Sequence, residues 1–189
     1  NNITWCAPEM YVNALATAGI TDAKVIVAAP FDVSGTAALT GVYKAYEDIT
    51  GQKLDENAKL VGTQELAVTS DLANEIGSYD STSIVNELKG MLNETKDMSD
   101  SQLRDEIGKI ASEYKTTLTD KQTDQLVSLC RSMEKMDSSE LLQRVNEVKD
   151  TVKKMAEAKT KAVGFIQKVQ NVITSVADFF HDIIAHFKK

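Results

Sequence analysis

The sequence predicts a mainly α-helical protein: a small N-terminal βαβ(α) unit, then a multi-helix bundle ending in a long amphipathic helix. Three observations predict it. Both prolines, Pro8 and Pro30, fall in the first thirty residues, so nothing beyond them forbids long helices. Helix-start patterns recur after residue 55. From Leu141 onward, apolar residues repeat with the period of a coiled coil.

The N-terminal unit covers residues 1–54. Ile3-Thr4-Trp5-Cys6 reads as a strand end, and Pro8 suits the first turn of a helix that stops at Gly19. Residues 23–29, AKVIVAA, form the continuous apolar run of a buried strand. Strand, helix and strand in so short a span predict a parallel pair with a right-handed crossover. Two strands do not make a stable sheet, so further strands are expected upstream or from another chain. The chain also begins at Asn1 without a leader, which reads as a trimmed product. After Pro30, Ser34 is the expected N-cap of a helix ending at Gly51, with Ala37, Ala38 and Gly41 leaving one side nearly bare.

The bundle is expected over residues 55–137, with helices near 55–68, 70–77, 81–96, 100–117 and 120–135. Ser99–Gln102 and Thr119–Gln122 have the spacing of capping boxes, and the stretch around Asp137 and Ser138 opens the last helix. Short joints imply antiparallel neighbours.

The last helix is expected over 138–187 of a terminal unit spanning 138–189. Fourteen positions from Leu141 to Phe187 follow alternating four- and three-residue steps, and only Lys159 among them is not apolar. Up to Lys159 the stripe is narrow. Beyond Gly164, where a kink is expected, it widens to include Phe165, Ile166, Val169, Val172, Ile173, Val176, Phe179, Phe180, Ile183, Ile184 and Phe187. Three uses of this surface follow: completing the core, binding a partner or a second copy, or lying on an anionic membrane.

Charge narrows the function classes. The net charge of −7 argues against nucleic-acid binding, which needs a basic surface. Lys159, Lys161, Lys168, Lys188 and Lys189 against Asp178 and Asp182 make the end basic and the rest acidic. No run of eighteen apolar residues exists to span a membrane as a simple helix.

Candidate chemistry is sparse. Ser34, Gly35, Thr36 and Thr40 follow an expected strand and open a helix, a geometry that can present amides to a small anion or carboxylate. The same residues also suit a cap, a turn and close packing, and they lack the lysine of a phosphate loop. Ser34 or Cys6 as nucleophile would need a base, and the only histidines, His181 and His186, lie at the far end. Asp178, His181, Asp182 and His186 share a helical spacing that could hold a metal but fits a solvated face better. No metal and no cofactor are expected. Cys6 and Cys130 could bridge or stand as two buried thiols.

The stretch from Ile3 to Gly51, sharpest in AAPFDVSGTAALTG, resembles the YpuA-like family of predicted secreted proteins of Gram-positive bacteria, domain-of-unknown-function family 1002. The resemblance implies export and an additional region before the ITW stretch. It supplies no activity. It also implies surroundings in which Cys6 and Cys130 could bridge. The resulting expectation is a non-enzymatic interaction or structural protein of the cell envelope, using the terminal apolar stripe to bind a partner or itself. A membrane-surface protein and a ligand-binding protein using Ser34–Thr40 are the alternatives.

Overall fold

The computed structural model describes residues 2–155, 157 and 158. Seven helices lie wholly within them: α1 (Pro8–Ala18), α2 (Ala38–Thr50), α3 (Glu56–Ile76), α4 (Ser78–Gly90), α5 (Leu92–Thr95), α6 (Asp100–Glu113) and α7 (Asp120–Met133). An eighth, α8, is described from 138 to 155.

Local chemistry sets most of the boundaries. Pro8 occupies the first turn of α1, and Gly19 closes it in the left-handed conformation with φ 101°. Gly51 does the same for α2. Ser99 accepts from the Gln102 amide while Gln102 bonds back to the Ser99 amide, and Thr119 and Gln122 repeat the arrangement at α7. At α8 the Asp137 carboxylate accepts from the Glu140 amide at 2.9 Å. The Arg131 guanidinium of α7 donates to the carbonyls of Thr95 (2.9 Å) and Met98 (2.7 Å), tying the loop between α5 and α6 to the bundle.

The expected βαβ unit is not there. Among the described residues the only β pairing is one parallel bridge, Ile3 with Val33. It is carried by Val33 N–H to Asn2 O (2.9 Å) and Thr4 N–H to Val33 O (3.0 Å). The segment that returns beside Ile3 is therefore the one after Pro30. AKVIVAA forms neither helix nor strand, and no described backbone group pairs with its residues 23–28. β-branched composition favours an extended chain; a strand also needs a neighbour.

Other boundaries shift for local reasons. The expected break near residue 69 is absent, and α3 runs through it for about 32 Å at 1.5 Å per residue. Ser70 is buried there, with its hydroxyl 3.4 Å from Cys6 Sγ and 3.3 Å from Met10 Sδ. The expected helix 81–96 instead begins at Ser78 and divides at Gly90–Met91 into α4 and α5. Ser34 does not cap α2, which starts after Ala37 with no side-chain cap.

Two apolar clusters fill the body. The larger joins Val61, Val68 and Leu72 of α3, Ile84, Val85 and Leu88 of α4, Leu103, Ile107 and Ile110 of α6, and Leu126 and Leu129 of α7. Leu141 and Val145 of α8 close it. The smaller joins Met10, Ala14 and Leu15 of α1, Leu39 and Tyr43 of α2, and Leu66 of α3. Further along α8, Val148 and Val152 pack on Val12 and Ala16 of α1. Helix α3 is thus shared by both clusters, and α1 packs most extensively on it. Gly62 allows that approach: a Cβ there would lie 2.6 Å from the Ala14 carbonyl oxygen and 2.8 Å from Tyr43 Oη. Contacts divide the chain into one unit through Val152 and another from Lys153 to Lys189.

Candidate functional site

Three places in the described body are candidates for a site. The first is a buried polar cluster on the seam of α1, α3 and α4. Asn13 and Thr17 lie one turn apart on α1 and face Glu65 of α3. Asn13 Nδ2 donates to Glu65 Oε1 at 2.6 Å, and Thr17 Oγ1 donates to Glu65 Oε2 at 2.5 Å. Lys89 of α4 completes the cluster with Nζ 2.7 Å from Glu65 Oε1. Burial pushes the Glu65 carboxyl up and the Lys89 ammonium down, while their mutual attraction opposes both shifts. Their side chains are 1% and 0% exposed, so no substrate reaches them. One turn earlier on α1, Ser78 donates to the buried Glu9 carboxylate. The signal for this cluster was the polar series Glu9, Asn13, Thr17 at four-residue steps in an otherwise apolar helix. Glu65 and Lys89 individually look like ordinary surface charges of long helices.

The second place is the Ser34–Thr40 loop. Gly35 has φ 99°, and its carbonyl accepts from Tyr11 Oη at 2.6 Å and from the Ala38 amide at 3.0 Å. The Ser34 carbonyl accepts from the Cys6 amide at 3.1 Å. These bonds fasten the loop to the start of α1. The Ser34 and Thr36 hydroxyls lie 3.3 Å apart on the surface, and Thr40 is exposed in the first turn of α2. The structure brings the four predicted residues together around a turn whose carbonyls serve the fold.

The thiols form no bridge. Cys6 lies in the smaller cluster and Cys130 in the larger, both buried and free. Burial raises both, Cys130 to about 11, so each stays protonated and weakly nucleophilic at neutral pH.

The third place is a groove of about 590 Å³ between residues 22–28 and α2. Val25 and Val27 turn inward against the smaller cluster, while Ile26 points away and is 83% exposed. Across from them α2 presents Ala38, Gly41, Ala45 and Ile49, the last 84% exposed. Small residues make the floor and large apolar ones the rim. Sequence reading found the bare side of α2 in Ala37, Ala38 and Gly41.

Among the described residues no cluster of three or more His, Cys, Asp or Glu could hold a metal, and no helix is long and apolar enough to cross a membrane. Phe165, Ile166, Val169, Val172, Ile173, Val176, Phe179, Phe180, Ile183, Ile184 and Phe187, the Asp178–His186 face and the expected kink at Gly164 lie outside the described residues.

A sequence model described as "Protein of unknown function (DUF1002)" matches residues 1–155. The chain belongs to the DUF1002 family. Its similarity to the uncharacterized protein YpuA of Bacillus subtilis (strain 168) is 38% identity over 192 residues, covering all of this chain and 64% of that protein. The chain thus spans 64% of the length of that curated relative. No solved structure matches it. DUF1002 membership agrees with the resemblance noted from the Ile3–Gly51 stretch, and it brings no activity with it.

Proposed function

We propose that this DUF1002 protein is a non-enzymatic interaction or structural protein acting outside the cytoplasm at the cell envelope, and that its terminal apolar pattern mediates self-association. One observation carries the reading. Leu141, Val145, Val148 and Val152 close the cores of the body, and the chain's contacts divide directly after them. The same apolar repeat continues beyond that division through Ile166, Val169, Ile173, Val176 and Phe180. The length of the repeat past Val152 supports a second use for its far part. The state of the reactive groups agrees: the charged pair is sealed and the thiols are protonated. The extracytoplasmic location rests on the family resemblance.

Sedimentation equilibrium of the full chain and of an Ile173→Asp/Phe180→Asp variant tests it. The expected result is an associating full chain, a monomeric variant, and the same melting temperature for the body in both. A full chain that stays monomeric at roughly 100 μM, where even weak self-association of micromolar affinity would register, overturns self-association.

A further inference from the structure

The buried cluster on α1, α3 and α4 gathers an amine and a carboxamide on one carboxylate oxygen. Lys89 Nζ and Asn13 Nδ2 both donate to Glu65 Oε1, at 2.7 Å and 2.6 Å. Thr17 Oγ1 donates to Glu65 Oε2 and holds the carboxylate between its neighbours. Asn13, Thr17, Glu65 and Lys89 are all buried. Asn13 Oδ1 is buried as well, and no hydrogen-bond partner meets it. An unmet buried acceptor costs stability, so a cluster serving packing alone has no use for it.

These groups are the reactants and the acid–base group of an amide transfer. Passing one proton from Lys89 to Glu65 leaves a neutral amine beside a neutral carboxylic acid, the form that burial favours for each. A neutral lysine amine is a nucleophile. Half a turn of the Asn13 carboxamide about Cβ–Cγ brings Oδ1 onto the Glu65 hydroxyl, which polarises Cγ for attack. Burial also keeps out the water that would compete as a nucleophile.

We propose that Lys89 and Asn13 join in an isopeptide bond, with Glu65 as the catalytic acid and base, in a single reaction inside the folded chain. Nζ attacks Cγ, and the carbonyl electron pair moves to Oδ1, which the Glu65 O–H holds. Glu65 then relays a proton from Nζ to Nδ2. The Cγ–Nδ2 bond breaks, ammonia leaves and the carbonyl re-forms. One amine and one carboxamide become one secondary amide and ammonia, with Glu65 restored and nothing oxidised or reduced. A sealed site suits this reaction, because both reactants belong to the chain. The bond ties α1 to α4 covalently in a body whose Cys6 and Cys130 form no bridge. It forms whether or not the chain associates.

Intact mass spectrometry of the denatured full chain, after incubation at neutral pH, tests this on the parent protein. The expected mass is the sequence mass less one molecule of ammonia. Trypsin should then release residues 1–24 joined to 60–96, because an acylated Lys89 is not cut. Asn13→Ala and Glu65→Gln, each checked for the parent's circular dichroism, should keep their full masses. A parent that retains its full mass, with Lys89 cut by trypsin, overturns the proposal and leaves the cluster an ion pair. Loss of ammonia without the joined peptide overturns it too, since the ammonia then comes from another side chain. The joined peptide in Glu65→Gln overturns the role of Glu65.

Discussion

Lys89 Nζ lies 2.7 Å from Glu65 Oε1 with both side chains shut off from solvent, and this pair joins α3 to α4 inside the core. Glu65 also accepts from Asn13 and Thr17, so one carboxylate gathers three helices. Such a pair is costly to break from one side, because the remaining charge stays buried.

Lys89→Met should therefore destabilise the protein by about 3–5 kcal/mol at pH 7 in urea denaturation. Adding Glu65→Gln should recover a large part of that loss. The deficit of Lys89→Met should also shrink toward pH 4. An unpaired Glu65 has a folded pKa raised by burial above its unfolded value, so its contribution is intact at low pH and is lost as pH rises through the folded pKa. A Lys89→Met variant within about 1 kcal/mol of the parent at pH 7 would mean water reaches the pair.

Two glycines should respond oppositely to the same substitution. Gly62→Ala drives a methyl into the Ala14 carbonyl and Tyr43 Oη, and should cost about 1–3 kcal/mol. Gly108 sits inside α6 with open space around its Cβ position, so Gly108→Ala should stabilise by roughly 0.5–1 kcal/mol through helix propensity. Thermal melts of the two variants against the parent decide it.

Glu47 provides an acid-side signature. Its carboxylate accepts from the Leu54 amide at 3.0 Å and from Lys59 at 3.2 Å, which hold its pKa below the usual value. A depressed folded pKa contributes stability above the unfolded pKa and loses it as pH falls through the folded one. Between about pH 6 and pH 3, spanning the ordinary glutamate range, the melting temperature of Glu47→Gln should fall less than that of the parent. Parallel curves would show that this carboxylate's contacts do not matter to stability.

Much of this fold was legible in the sequence where a signal is local. The capping boxes at Ser99 and Thr119, the stops at Gly19 and Gly51, and the stripe from Leu141 to Val152 all have the expected roles. The failures share a different cause. AKVIVAA has the composition of a buried strand, but whether it pairs depends on a neighbour that its own residues do not specify. The break expected between residues 68 and 70 does not occur, and Ser70 sits inside α3 with its hydroxyl among partners in the core. At the candidate sites, the bare side of α2 was visible in Ala38 and Gly41. The Glu65–Lys89 pair was not, because 24 residues and a helix joint separate partners that only tertiary packing brings together.

The thiols give a chemical check on the two-cluster core. Cys6 and Cys130 are buried in separate clusters, with Cys130 raised to about 11. At pH 8 both should react slowly with a thiol reagent in the native protein, and both should titrate promptly in denaturant without reductant. Recovering no thiols under those conditions would reveal a bridge and contradict the packing of both clusters.

The proposed self-association requires that the body fold without the apolar repeat beyond residue 158. Cutting the chain after Ala158 and following helicity, melting and sedimentation tests this most directly. The expected result is a truncated protein that melts cooperatively at nearly the parent temperature and sediments as a monomer, while the full chain associates. A truncated protein that loses its helical signal and aggregates would show that the terminal stripe is core, and would overturn self-association through it.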